Sequence, residues 1–260
     1  MARRRFLWHL LALAWLAMGA SSALASRGFS AAERRILAEI GRQRAAGLRP
    51  ALVVDLDNTL TDSRHRTRAA ARIFGHRVRG ARALRGLRLE QIRYDARQTA
   101  QRAGLDERTT ARFERFWLRY FWHPSSMRHD KPVRRTVDLV RAAKAAGAEV
   151  FYLSGRTSEL RVASLRQLWR FRLPDARPDR LLTKATEAVN TSRFKRGQVL
   201  RLRRLGFHLS AFISDAPSDI AAVQDLVPCA LVDFPVGPSR RPAIDVSTLL
   251  LSTSSATPGR

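Results

Sequence analysis

The fold of this chain is decided by the stretch Ala51–Leu60, which reads ALVVDLDNTL. Its first four residues are apolar and two of them are β-branched, which is typical of a strand buried on both faces of a sheet. Asp55 and Asp57 follow this run directly. They would share one face of an extended strand, and leaving the strand at Asp57 lets both carboxylates approach one point. Two acids this close repel each other unless a cation or a shared proton holds them, so the stretch predicts a cation site where the strand ends.

Mg²⁺ is the cation that this pattern favours, because it takes a few carboxylates, keeps its waters and bridges to phosphate. The alternative is that Asp55 and Asp57 only cap or stabilise a turn. Cys229 is the single cysteine of the chain, which excludes an intramolecular disulfide and a cysteine-based zinc site. Any metal must therefore be held by oxygen or imidazole ligands.

Three more short apolar runs have the character of buried strands: Glu149–Leu153, Ala211–Ser214 and Cys229–Phe234. Helical patterns precede each of them, at Val133–Ala146, Gly197–Leu205 and Asp219–Leu226. A further helix is predicted over Ser30–Arg44, where Ser30 and Glu33 form a capping box. Strands that alternate with helices predict an α/β fold with a parallel sheet, right-handed crossovers and a site at the carboxyl ends of the strands.

The alternation stops between Asp62 and Asp130, where only helical patterns are found. They lie near Arg64–Arg79, Leu89–Ala103 and Glu107–Trp122. The last carries an aromatic stripe that indicates core packing rather than a platform for stacked bases. We therefore expect a helical subdomain at residues 63–130, inserted into a core formed by residues 26–62 and 131–235. Residues 236–260 are expected to be a mostly flexible tail, in which Val246–Leu251 could pack locally.

The chain is strongly basic: Lys and Arg outnumber Asp and Glu 48 to 22 in its 260 residues, for a formal charge of +26. This charge attracts phosphates, nucleic acid or anionic lipid heads at long range. Arginine is scattered along nearly every segment, however, which fits a coding bias with solvated faces equally well. No basic helix with interleaved exposed aromatic residues stands out, so a nucleic-acid partner is not favoured.

The N-terminus has the pattern of a secretory signal peptide. Arg3–Arg5 precede the apolar stretch Phe6–Ala20, and the small residues Ala23–Ala25 suit cleavage after Ala25. The alternative is an uncleaved membrane anchor, for which the apolar stretch is short. We expect an exported protein, periplasmic or secreted, without a stable membrane span once residues 1–25 are removed.

Further polar residues lie at the ends of the other predicted strands. Ser154, Gly155 and Arg156 follow Leu153, and this turn offers a hydroxyl and backbone N–H groups to an anionic oxygen. Lys195 lies near the start of a helix. Asp215 ends the third strand, and Asp219 follows one helical turn later.

These ordered signals resemble the haloacid dehalogenase (HAD) superfamily, and in particular its phosphatases. Asp55, Asp57 and Thr59 match the first motif, Asp-x-Asp-x-Thr, in full. Ser154 fits the hydroxyl motif and Lys195 the lysine motif. Asp215 and Asp219 fit the spaced acidic motif, although Ser214 stands where many members have glycine. The resemblance covers about Pro50 to Phe234, and it implies a Rossmann-like core.

The resemblance also implies a role for each residue. Asp55 would attack phosphorus and form an aspartyl-phosphate, and Asp57 would act as the general acid and base. Mg²⁺ would be bound by Asp55, the backbone carbonyl of Asp57 and Asp215, with Asp219 in direct or indirect support. The residues expected to hold the turn or bind the substrate phosphate are Thr59, Ser154, Gly155, Arg156 and Lys195.

Some assignments stay open at the level of sequence. Lys184 competes with Lys195 for the lysine motif. Asp219 could simply complement the dipole of its own helix, and Arg156 could be a substrate contact or a surface charge. The histidines lack metal-ligand spacing and are expected to be ordinary surface or core residues: His65, His76, His123, His129 and His208.

The position of the insertion bears on the substrate. About 95 residues separate Asp57 from Ser154, against about 40 between Ser154 and Lys195, so the extra chain enters after the first motif. This resembles a helical cap that closes over small substrates, and the signal peptide resembles that of secreted acid phosphatases of the superfamily. We expect an exported, Mg²⁺-dependent phosphomonoesterase that acts on a small phosphorylated substrate. The alternatives are a non-catalytic polyanion-binding protein on the same scaffold, or a HAD phosphotransferase or mutase.

Overall fold

The computed structural model describes residues 28–233 and 249–252. Its strands are β1 (Arg49–Val54), β2 (Thr61–Asp62), β3 (Lys131–Pro132), β4 (Glu149–Thr157), β5 (Leu181–Lys184), β6 (Phe207–Ser214), β7 (Cys229–Asp233) and β8 (Leu249–Ser252). Six of them form one sheet in the order β5-β4-β1-β6-β7-β8, and every pairing in it is parallel. The predicted signal peptide lies outside the described residues.

Helices cover both faces of this sheet. The α-helices are α1 (Ala31–Ala45), α2 (Arg64–Arg77), α3 (Ala96–Arg102), α4 (Glu107–Phe121), α5 (Arg134–Ala145), α6 (Arg161–Arg170), α7 (Thr191–Arg204) and α8 (Pro217–Val223). Leu52 and Val54 of β1 pack against α1, α5 and α6 on one face. Ala51 and Val53 pack against α7 and α8 on the other face. Both faces of the central strand are thus buried, and the predicted α/β fold with a parallel sheet flanked by helices is confirmed.

The insertion after the first motif contains only helical elements among its described residues. The short antiparallel pair β2 and β3 joins its two ends, with Asp62 opposite Lys131. Its helices pack on one another around their own apolar cluster, in which the rings of Phe74 and Phe113 lie 5.4 Å apart. Residues 63–130 therefore have a core of their own beside that of the sheet.

Several predicted boundaries differ from the structure. The helix expected over Leu89–Ala103 is a 3₁₀ turn at Leu89–Gln91 followed by α3. Strand β4 continues past Leu153 to Thr157, with an irregular register against β5, and α7 begins six residues before the predicted Gly197. The capping box that starts α1 is present as predicted.

Several short elements were not predicted, among them β2, β3, β5 and α6. Strand β5 has only four residues and α6 has no cap side chain, so neither has a strong local signal. Within the tail, Leu249–Ser252 forms strand β8 beside β7; it overlaps the run Val246–Leu251 that was expected to pack locally, and the rest of the tail lies outside the described residues. No helix in the described part of the chain is long and apolar enough to cross a bilayer.

Candidate active site

The polar residues predicted from the strand ends meet in one place. β1, β4 and β6 are neighbours in the sheet, and a cavity of about 220 Å³ lies at their carboxyl ends. It is lined by residues from each of the predicted motifs: Asp55, Asp57, Ser154, Gly155, Arg156, Lys195, Asp215 and Asp219. Asp55 and Asp215 are 160 positions apart in the chain and open into the same cavity. Parallel strands bring their carboxyl ends to one edge, and this is why the motifs converge.

A tight turn after β1 orients the first motif. Asn58 adopts a left-handed conformation with φ of 58°, which asparagine tolerates better than most residues. The backbone N–H of Asn58 donates to the carbonyl of Thr61 at 2.7 Å. The Ser63 hydroxyl donates to the side-chain oxygen of Asn58. This turn directs the chain out of the sheet directly after Asp57.

Thr59 holds the turn to the acidic motif. Its hydroxyl donates to Asp215 Oδ1 at 3.0 Å and accepts from the Asp215 backbone N–H at 2.8 Å. The residue is fully buried. Its expected role in holding the turn fits this geometry, and its assignment as a phosphate-binding group stays a prediction.

Lys195 bridges two of the carboxylates. Its Nζ lies 2.9 Å from Asp55 Oδ2 and 2.5 Å from Asp219 Oδ2, and the residue is 1% exposed. Ser214 adds to this cluster, because its Oγ lies 3.2 Å from Asp55 Oδ2 and 3.4 Å from Asp219 Oδ2. The residue that departs from the common glycine therefore contributes a hydroxyl to the site.

The cluster carries more negative than positive charge. Burial, together with the Asp55 and Asp219 charges, raises the pKa of Asp215 to about 8 against the opposing effects of Lys195 and Thr59. Burial also raises the pKa of Asp55, although Lys195 works against this rise. The pKa of Lys195 is raised because its carboxylate partners outweigh its burial. Asp55, Asp215 and Asp219 together against one ammonium leave a surplus of two negative charges when all are ionised.

This donor set fits a divalent cation. Buried carboxylates with raised pKa values are the groups that a bound cation would stabilise in their ionised form, and oxygen ligands are those that Mg²⁺ prefers. No group of three or more His, Cys, Asp or Glu side chains within residues 28–233 and 249–252 forms a ready-made metal cage. The fit therefore depends on Asp55, Asp215 and the carbonyl of Asp57, with water completing the coordination.

Asp57 has a separate electrostatic environment. Arg156 donates to it through two nitrogens, from Nε to Oδ2 and from Nη2 to Oδ1, each at 2.8 Å. Arg66 Nη2 donates to Oδ1 at 3.0 Å. Burial would raise the pKa of Asp57, but the charges and hydrogen bonds of Arg156 and Arg66 outweigh it and hold this pKa well below its ordinary value.

The position of Arg156 rules out one of its two sequence interpretations. Its side chain is fully buried, so it is not a surface charge. Besides Asp57, its guanidinium donates to Ser164 Oγ at 2.8 Å and to Gln167 Oε1 at 2.9 Å. Protein acceptors surround this guanidinium, and its expected contact with the substrate phosphate stays a prediction.

Arg66 and Asp130 were not predicted as site residues. Arg66 lies in α2 of the insertion, and its guanidinium binds Asp130 as well as Asp57. Gln167 Nε2 donates to Asp130 Oδ2 at 2.7 Å. A buried polar network thus connects the insertion to the core at Asp57. The contacts join residues distant in sequence, and no local pattern marks Arg66 among the other arginines.

Ser154 and Gly155 lie where β4 passes the start of α7. The Ser154 hydroxyl accepts the Arg156 backbone N–H at 3.2 Å and lines the cavity. A Cβ built on Gly155 would lie 2.8 Å from the Thr191 methyl carbon. Glycine therefore allows the helix that carries Lys195 to approach the strand closely.

The two candidate lysines have different partners. Lys195 contacts Asp55, whereas Lys184 Nζ binds Glu187 at 3.1 Å at the edge of the same cavity. The geometry thus favours Lys195 for the lysine motif. Asp219 is not merely a helix-terminal acid, because Lys195 and Ser192 both donate to it.

Aromatic residues of the insertion border the site. Tyr94 and Trp122 line the acidic cavity. Beside it lies an aromatic cavity of about 220 Å³, which is lined by Tyr94, Trp117, Phe121 and Trp122. Burial, with the charges of Asp215 and Asp219, raises the pKa of Tyr94 to about 12. Its phenol is therefore neutral at ordinary pH. Sequence analysis noted the aromatic stripe but did not place Trp122 beside the catalytic motifs.

A parallel sheet with a carboxylate cluster, a lysine and a hydroxyl at its carboxyl edge defines the class of HAD-type phosphatases. Residues 88–234 match the sequence model of the family described as HAD superfamily, subfamily IIIB (Acid phosphatase). This range is more than half of the chain and includes the second, third and fourth motifs. The chain belongs to this family, and its class of activity is the hydrolysis of phosphoric monoesters.

Similarity to solved structures supports the fold. A candidate phosphatase from Clostridium difficile aligns with a TM-score of 0.52 at 13% identity, covering 78% of this chain and 94% of its own. The Protein Tyrosine Kinase A of Mycobacterium tuberculosis aligns with a TM-score of 0.52 at 16% identity, covering 80% of this chain and 95% of its own. A comparison with curated proteins found no match.

Proposed function

We propose that this protein is an exported, Mg²⁺-dependent phosphomonoesterase that hydrolyses a small organic phosphate through an aspartyl-phosphate on Asp55. The observation that carries the proposal is the surplus of negative charge around Asp55, Asp215 and Asp219 beside one buried ammonium. A bound Mg²⁺ would supply the positive charge that lets an anionic substrate approach an anionic nucleophile. Asp55, Asp215 and the carbonyl of Asp57 would hold it.

In the first step the Asp55 carboxylate forms a bond to phosphorus while the ester bond to the leaving oxygen breaks. Lys195 and the Ser154 hydroxyl lie at the same cavity and would bind the oxygens of the transferring group. Asp57 would relay the proton that the leaving oxygen takes up from water, since Arg156 and Arg66 hold its own carboxyl ionised. In the second step it takes a proton from the water that attacks the aspartyl-phosphate, which releases phosphate and restores Asp55.

The aromatic border suggests the kind of organic group. Tyr94 and Trp122 line both the acidic cavity and the aromatic cavity beside it, so a substrate could place its phosphate beside Asp55 and a flat ring against these side chains. Arg64 and Arg93 line the same neighbouring cavity. The aromatic side chains and the two arginines together favour a small aryl or similar planar phosphate ester over a long polymer.

The test is phosphate release from a generic aryl phosphate by the purified protein, with Mg²⁺ and with a chelator. Activity should need the metal, and Asp55→Asn should lower kcat by at least a thousandfold. Asp138→Asn is the matched control, because Asp138 is exposed on α5, away from the cavity. Full turnover in Asp55→Asn would reject the nucleophile. Analysis of products in the presence of an alcohol acceptor separates hydrolysis from phosphotransfer.

Export is a separate part of the proposal, supported by the basic, apolar and small-residue pattern of residues 1–25. Mass spectrometry of protein secreted by a bacterial host should give a mature chain that begins at Ser26. Recovery of only the full-length chain in the membrane fraction would instead support the anchor.

A further inference from the structure

A second cavity lies in the insertion, away from the candidate active site. Its volume is about 520 Å³, within the range of about 300–1,000 Å³ found for small-molecule sites. Helix α2 forms one wall, and the end of α4, the turn at Pro124–His129 and strand β3 form the other. None of its lining residues lines the acidic cavity.

Opposite faces of α2 serve the two cavities. Arg64 and Thr67 line the aromatic cavity beside Asp57. His65, Arg68 and Arg72 follow at a spacing of three to four residues and line the second cavity. The helix therefore separates two sites, and a ligand in the second cavity would not compete directly with a phosphate beside Asp55.

The lining is basic and contains no acid. Four permanent cations from three segments line it: Arg68, Arg72, Arg128 and Lys131. Across the described residues, none of these side chains makes an ion pair. Like charges around one concave surface raise its potential, and an anion would relieve their repulsion.

The nearest acids are engaged elsewhere. Asp62 comes within 3.8 Å of His65 Nε2, but its two oxygens accept from Arg64 at 2.9 and 2.7 Å. Asp130 is buried and binds Arg66 and Gln167. The positive charge of the cavity is therefore not balanced from behind its walls.

Neutral donors complete the lining. His65, His76 and His129 face the cavity together with Tyr120, whose hydroxyl lies 3.0 Å from His129 Nε2. Burial lowers the pKa of His65, and the Arg68 and Lys131 charges lower it further against the effect of Asp62. Burial and Arg128 likewise lower the pKa of His129. Neutral imidazole and phenol groups can each donate a hydrogen bond to an anionic oxygen.

We propose that this cavity is a binding site for a small polyvalent phosphate anion, distinct from the site of hydrolysis. Arginine and lysine around a concave wall, with hydrogen-bond donors between them, match the several oxygens of linked phosphate groups. The concave wall and the volume of about 520 Å³ favour a compact anion over nucleic acid, which needs an extended surface. The phosphate groups could come from inorganic polyphosphate or from an organic triphosphate.

The experiment is isothermal titration calorimetry of the full chain with inorganic tripolyphosphate, in chelator so that metal-dependent binding at the active site is absent. Arg68→Ser with Arg128→Ser should weaken binding at least tenfold. Arg102→Ser with Arg108→Ser is the matched control, because both arginines are exposed on the insertion outside this cavity. It should change the affinity less than twofold.

Equal affinity in the cavity variant and the parent would overturn the proposal, as would binding of nucleic acid but not of tripolyphosphate. If the double variant does not fold, Arg72→Ser decides, because Arg72 is exposed and should still weaken binding several-fold. A parallel titration with adenosine triphosphate assigns the source: tighter binding than tripolyphosphate identifies an organic ligand, and weaker binding identifies inorganic polyphosphate. Binding in chelator does not depend on turnover, so this result stands apart from the test of hydrolysis.

Discussion

Replacement of Arg156 by methionine tests the electrostatic role of the buried network most directly. The variant removes the paired hydrogen bonds to Asp57 and the donors to Ser164 Oγ and Gln167 Oε1. Removing one member of a buried ion pair costs about 3–5 kcal/mol. Arg66 still binds Asp57, whose side chain is 21% exposed, so we expect the lower end, about 3 kcal/mol.

The assay is urea unfolding of Arg156→Met, Arg156→Lys and the parent, with the midpoint and slope fitted together. Arg156→Lys keeps the charge but loses the planar fork, so its cost should be intermediate. Arg166→Met is the control, because Arg166 is exposed on the same helix as Ser164, and it should change stability by less than about 0.5 kcal/mol. A cost below about 1 kcal/mol for Arg156→Met would refute the reasoning.

The pH dependence gives a second, independent readout. Because the folded-state pKa of Asp57 is depressed, its contribution to stability is present above its unfolded pKa, about 3.9, and is lost as the pH falls through the folded value. The stability difference between Arg156→Met and the parent should therefore be largest at neutral pH and narrow below about pH 4. A difference that stays constant down to pH 3 would show that lost packing, rather than charge, causes the cost.

Other substitutions probe the neighbouring features. Gly155→Ala places a methyl group within 2.8 Å of Thr191; it should displace the start of α7, lower kcat, and cost about 1–3 kcal/mol in thermal unfolding, and full activity would contradict the need for close approach. Asp215→Asn should stabilise metal-free protein in chelator at pH 8 by an amount on the order of a few kcal/mol. The folded pKa of about 8 means that the parent loses stability as the pH rises from about 4 to 8, so the gain should disappear near pH 4; melting curves at both pH values check this. Phe113→Ala empties a fully buried position in the insertion and should cost about 3–5 kcal/mol, whereas an unchanged urea midpoint would show that the insertion does not unfold with the core.

Sequence analysis identified the sheet because each long buried strand appears as a continuous apolar run. It also located the acidic cluster, since strands of a parallel sheet end at a common edge. It missed β5, because four residues are too few to separate a strand from a helical turn. The resemblance supplied the roles of the motif residues, and the structure adds a contact for two of them: Thr59 holds Asp215, and Arg156 holds Asp57.

The contacts that sequence could not predict are those made across the fold. Arg66 is nine positions from Asp57 and Asp130 is farther still, so neither shares a motif with the residue it supports. Many arginines in the chain have similar local surroundings. Only the packing of α2 against the core selects Arg66 to be buried beside two carboxylates. Sequence analysis missed the second cavity, in the insertion, for the same reason, because its cations come from segments separated by about 50 residues.

The site divides its acids into two electrostatic groups, and this division matters for the chemistry. Asp57 is matched by two guanidinium groups, so it needs no further cation. Asp55, Asp215 and Asp219 share one ammonium and retain a surplus of negative charge that a divalent ion could balance. A metal drawn to this region would therefore bind beside Asp55, the proposed nucleophile, rather than beside the carboxylate of Asp57. Because Arg66 belongs to the insertion, moving the insertion away from the core would remove part of the positive charge that balances Asp57.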